Sequence, residues 1–112
     1  MAESLSQDAT RTLKALLTGS DPVSSALRAQ IPHTQPAGTC GCGCVTVDLV
    51  VDRTQAPSAP VHGNPAADAW YVFPEDAGVM VFTEGGYLSL LEIYSASSKP
   101  ITTWPEPRFA ER

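Results

Sequence analysis

Basic residues are scarce in this chain. Seven Lys and Arg stand against twelve Asp and Glu over 112 residues, a net charge of −5. Nucleic-acid binding needs a clustered basic face that displaces counterions from phosphates, and seven scattered cations do not make one. Anionic membrane surfaces are disfavoured on the same ground. Long apolar runs are also missing: nothing approaches the roughly 20 residues of a membrane-spanning helix. The start, "MAESLSQDATRTLKALL", has neither the basic nor the apolar region of a signal peptide. The expectation is a cytoplasmic protein, in a compartment that keeps thiols reduced. Cysteine is limited to three residues, an odd number that a closed disulfide framework would leave unpaired.

The length predicts one domain with a core large enough to stand without staples. Leu5, Ala9, Leu13, Leu16 and Leu17 recur at three- and four-residue steps, which predicts a helix over about 5–18. Ser4 and Gln7 fit a capping box, and Gly19 fits a left-handed stop. A second helix is predicted over about 22–31. Asp21 is its cap, Pro22 its first residue, and Pro32 disfavours the helical region for Ile31.

Beyond Pro36 the period changes to two. Val45, Val47, Leu49 and Val51 alternate with more polar neighbours and predict a strand over about 43–52. Residues 53–68, "RTQAPSAPVHGNPAAD", read as a long surface loop. "AWYVF" predicts a strand over 69–73. Strands over 78–84 and 87–95 flank Gly85-Gly86, a pair suited to a tight hairpin because both positions need positive φ. A two-residue turn there opposes Phe82 to Ser89, Val81 to Leu90 and Met80 to Leu91. Leu88, Leu90 and Tyr94 then share one face, with Leu91 and Ile93 on the other. A strand apolar on both faces is normally covered twice. One cover is the helix pair; the long loop, the C-terminal tail or a second subunit is the other. The proline-rich tail, "KPITTWPEPRFAER", is expected to run extended with Trp104 and Phe109 as anchors.

Cys40, Cys42 and Cys44, in "TCGCGC", are the unusual feature. Alternate residues of a strand lie about 6.6 Å apart, whereas two thiolates on one zinc sit about 3.8 Å apart. Zinc therefore requires the chain to curl, which Gly41 and Gly43 allow. A fourth ligand would come from His33 or His62. The competing reading makes the cysteines small packing residues in a glycine bend. A third makes one of them a nucleophile, although no C-x-x-C is present to lower a thiol pKa. Glu92 is expected on an apolar strand face, where an acid must find a partner or stay near an edge. Asp48 and Thr46 are expected to face the way the cysteines do, on the solvent side of an edge strand or behind a metal. Glu92 and Asp48 are thus the candidate binding residues.

The Cys42-Gly43-Cys44 bend before a strand, joined to Gly86-Tyr87-Leu88 and Leu91-Glu92-Ile93-Tyr94 and followed by "ITTWPEP", resembles a group of small uncharacterised bacterial proteins. The likeness spans roughly residues 22–107. It implies that the cysteine stretch and Glu92 belong to one recurring scaffold, and it implies no activity.

The sequence therefore predicts an α+β fold: two N-terminal helices packed on an antiparallel sheet of about four strands, with a proline-rich tail. The predicted function is a non-catalytic binding domain that self-associates through the apolar second sheet face, as a dimer, or takes another protein as its partner. An accessory or immunity-type role, in which an acidic domain blocks a basic partner, fits the charge. A zinc-binding protein is the alternative, and a thiol-dependent enzyme the third reading.

Overall fold

The computed structural model describes residues 5–39, 45–61, 63–71, 76–95, 99–107 and 109. Two helices, α1 (Gln7–Leu16) and α2 (Pro22–Gln30), and a short 3-10 turn over Ile31–His33 precede five strands. These are β1 (Thr34–Thr39), β2 (Val47–Val51), β3 (Ala67–Tyr71), β4 (Ala77–Glu84) and β5 (Tyr87–Ser95). They form one antiparallel sheet in the order β1-β2-β5-β4-β3. The architecture is α+β, as expected, but with five strands rather than four.

The extra strand is β1, "TQPAGT". Its proline and glycine oppose the usual strand propensities. It is tolerated because it lies at the sheet edge, where a missing N–H breaks no second ladder. A bulge between Pro36 and Gly38 accompanies it. β3 begins at Ala67, inside the expected loop.

The helices form where the spacing places them, with different ends. Ser6, not Ser4, caps α1: its Oγ accepts from the Ala9 N–H at 3.1 Å. Gly19 is not a left-handed stop, because the C-cap is Leu17. The Arg28 guanidinium donates to the Leu17 and Gly19 carbonyls, satisfying groups a helix end leaves open. Asp21 caps α2 as expected, accepting from the Ser24 N–H at 3.0 Å with Pro22 at the first position. That bond holds the Asp21 carboxyl below its ordinary range. No helix among the described residues is long and apolar enough to cross a membrane.

Both helices lie on one face of the sheet. Leu13, Leu17 and Leu27 pack there with Val47, Leu49, Val51, Tyr71, Val79, Val81, Leu88, Leu91 and Ile93. Each fully buried Leu contributes about 1.5–3 kcal/mol of transfer free energy. Ile101 joins this core, and its carbonyl accepts from the Val45 N–H at 2.8 Å. Trp104 and Phe109 pack against the same core.

A polar hub ties the helices to the hairpin. Gln30 is fully buried at the end of α2. Its Nε2 donates to the Pro57 carbonyl at 3.1 Å and the Gly86 carbonyl at 2.9 Å, and its Oε1 accepts from the Leu88 N–H at 3.0 Å. The long connection after β2 is thereby anchored rather than loose. The Ala59 N–H also reaches the Gly86 carbonyl, and the Asn64 side chain exchanges bonds with the Thr83 backbone.

The hairpin register departs from the expected one at a single residue. Glu84 faces Tyr87 and Thr83 faces Leu88, but Phe82 faces Leu90, so Ser89 is an extra residue on β5. A one-residue bulge moves the side chains beyond it to the other face. Val81 therefore opposes Leu91, Met80 opposes Glu92 and Gly78 opposes Tyr94. Leu88 lies in the core with Leu91 and Ile93, not beside Leu90.

Candidate protein-interaction face

Alternation along each strand sends every second side chain away from the helices. β2 puts Asp48 and Val50 there, β3 puts Asp68 and Trp70, and β5 puts Leu90, Glu92 and Tyr94. β4 adds Gly78, Met80, Phe82 and Glu84. Among the described residues no helix or strand covers this second face. Val50 is 50% exposed and Tyr94 is 46% exposed, the two large apolar side chains that stand furthest into solvent.

The aromatic corner of this face depends on a glycine. Gly78 pairs across the ladder with Tyr94 on one side and Trp70 on the other. With no side chain on Gly78, the Tyr94 ring lies over its backbone: a Cβ there would fall 2.4 Å from Tyr94 Cζ. Tyr94 thereby reaches Trp70, with ring centroids 6.1 Å apart at 66°, the edge-to-face arrangement that ring quadrupoles favour. Asp48 uses the second glycine of the face in the same way, its Oδ2 3.2 Å from where a Gly38 Cβ would sit.

The strands of the face carry charge of one sign, and Arg53, on the connection after β2, stacks on Tyr87 opposite Glu84 with its Cζ 4.4 Å from the ring centroid. No Lys or Arg occurs in any of the five strands, while Asp48, Asp68, Glu84 and Glu92 all do, at positions on the helix-free side. Asp8 and Arg11 form the ion pair found among the described residues, so Asp48 and Glu92 have no cationic partner there. Glu92, expected beside Leu90 and Tyr94, stands between them. Asp48 faces away from the core as expected, but on a strand flanked by β1 and β5 rather than at an edge. Thr46 differs: its hydroxyl accepts from the Ile93 N–H at 3.0 Å and donates to the Ile93 carbonyl at 3.2 Å, standing in for a backbone partner where β2 leaves β5. Trp70, Met80 and Phe82 take this face from the regular β3–β4 pairing, and the Ser89 bulge brings Glu92 and Tyr94 opposite Met80 and Gly78.

His33 lies at the sheet edge near Val50. With Lys14, Thr10, Gln35, Val50 and Asp52 it lines a cleft of about 730 Å3 between α1 and the β1–β2 end of the sheet. Asp52 accepts from the Thr54 N–H at 3.0 Å and hydroxyl at 2.6 Å. Those bonds, helped by the nearby His33, hold its carboxyl below the ordinary range. Cys40, Cys42, Cys44 and His62 lie outside the described residues. Thr39 and Val45, which flank the cysteine stretch, are at the end of β1 and β2 away from His33, about 20 Å along a six-residue strand. Among the described residues no three His, Cys, Asp or Glu side chains group as metal ligands do. No protein-family model, curated protein or solved structure matches the chain.

Proposed function

We propose that this protein is a non-catalytic interaction domain that docks a protein partner on the helix-free face of its sheet. The observation that carries the reading is that face itself, with Tyr94 half exposed in the company of Trp70, Met80, Phe82 and Leu90 and Val50 half exposed at the far end of the same face. Contiguous apolar surface rimmed by polar groups marks interaction sites on soluble domains. Aromatic residues and Met are the types enriched where such surfaces become interface cores. A rigid sheet also presents them without an ordering cost at the moment of binding.

Self-association would use the same surface. A two-fold dimer sets each patch against its own copy, which would bring Asp48, Asp68, Glu84 and Glu92 of both copies together. Like charges placed across an interface oppose pairing. A different partner therefore fits the face better than a second copy.

Panning a random peptide library against the protein tests the proposal, with counter-selection on a Val50→Glu/Tyr94→Glu variant. Both positions are exposed, so the variant keeps the fold. Enriched peptides should bind wild type at least tenfold more tightly than the variant. Peptides that bind both equally, or no enrichment at all, would contradict the reading.

A further inference from the structure

The aromatic corner of the open face has a chemistry of its own. Trp70 and Tyr94 offer π surface at the sheet's end, with Tyr94 held there by the gap over Gly78. The same-face neighbour of Tyr94 on β5 is Glu92, with Cα atoms about 6.6 Å apart. Met80 stands between Glu92 and Asp68, in the row beside the one that holds Tyr94, Gly78 and Trp70. A guanidinium or ammonium is attracted electrostatically to a ring face and forms charge-assisted hydrogen bonds to a carboxylate. An aromatic pair and an acid within one side chain's reach can meet both demands at once. None of the five strands carries a Lys or Arg, and among the described residues no ion pair engages Glu92. The same negative surround would steer a cationic partner toward it.

We infer that Trp70, Tyr94 and Glu92 seat an arginine or lysine side chain of the docked partner, whose contact surface is basic and apolar together. The inference rests on the docking proposal above and adds the partner's chemistry to it. Arginine suits the seat better than lysine, because its planar group stacks on a ring while its edge meets the carboxylate. The Lys or Arg stem would cover Met80.

The test uses the full chain and two capped hexapeptides. One alternates leucine with arginine; the other alternates leucine with citrulline, which keeps the shape and removes the charge. Binding is followed by NMR shifts of the Trp70 indole N–H and of the β5 amides. The arginine peptide should shift these signals at low salt and bind at least tenfold more tightly than the citrulline peptide. Glu92→Gln should remove most of that difference while leaving citrulline-peptide binding unchanged. Asp48→Asn, on the same face but beside Gly38, should reduce it less. Equal binding of both peptides at the face would overturn the cation seat and leave the docking reading standing. Failure of both peptides to perturb the face would overturn both readings.

Discussion

The ring of Tyr94 lies across the backbone of Gly78, in space that any other residue at position 78 would fill. This one relationship sets the aromatic corner, because it carries Tyr94 to within 6.1 Å of Trp70. Gly78→Ala should displace the ring without unfolding the sheet. The clashing atoms are the far end of a half-exposed side chain that has solvent to move into. Stability should change by no more than about 1 kcal/mol, as for surface repacking. Trp70 emission and its indole N–H shift should change as the edge contact is lost. Unaltered Trp70 signals in Gly78→Ala would contradict this arrangement.

Gln30 is the polar residue on which the helix–hairpin junction turns. Its amide spends both donors and one acceptor on Pro57, Gly86 and Leu88. Gln30→Met keeps the volume and removes all three bonds. The Leu88 N–H is then buried without a partner, at a cost of about 1–3 kcal/mol for such a group. Urea unfolding should show a loss of about 2–4 kcal/mol. A loss below about 1 kcal/mol would mean the junction is held by packing alone.

The two turn glycines should behave differently. Gly85 has φ +61° and a Cβ there would make only ordinary contact, 3.8 Å from Arg53 Nη1, while Gly86 has φ +85° and a Cβ there would lie 2.6 Å from the Ala59 carbonyl oxygen. Gly85→Ala should cost about 1–2 kcal/mol, the left-handed penalty alone. Gly86→Ala should cost clearly more, because it also breaks the Ala59 and Gln30 contacts to its carbonyl. Equal melting temperatures for the two variants would contradict that ordering.

Tyr71 carries the buried hydroxyl that lacks a hydrogen bond. Burial pushes its pKa above the ordinary value of 10.0. The Thr12 hydroxyl pulls the other way, but its own proton is committed to the Asp8 carbonyl at 2.8 Å. The folded state thus disfavours tyrosinate. Stability is fully present below pH 10 and is lost as pH rises from there through the folded-state value. Tyr71→Phe should gain about 1 kcal/mol at pH 7.5 by removing the orphan group, and its stability should fall less between pH 9.5 and 11. A loss of stability at pH 7.5 would show that the hydroxyl has a partner.

Much of this fold is legible in the residues, and the misses have local causes. The helices follow from the spacing of Leu13, Leu16 and Leu27 and from the Asp21-Pro22 start. The Gly85-Gly86 turn follows from its composition. β1 is hidden because Pro36 and Gly38 are poor strand residues that only an edge accepts. A second apolar face is legible, but the side of β5 that joins it is changed by one residue, Ser89. Without its bulge Gly78 would oppose Ile93, and Tyr94 would never meet Trp70. Glu92 and Asp48 stand out as acids in apolar company, but the aromatic partners that give Glu92 a chemical context depend on register. Register is a property of two strands, not of either one.

The open face as a docking surface can be tested by oxidative footprinting with and without a panned peptide. Met80, Trp70 and Tyr94 are oxidisable and all stand on that face. Bound peptide should protect these three residues together and leave the His33 cleft unchanged. Protection at Pro32, His33 or Lys14, with Met80, Trp70 and Tyr94 oxidised as before, would contradict the account.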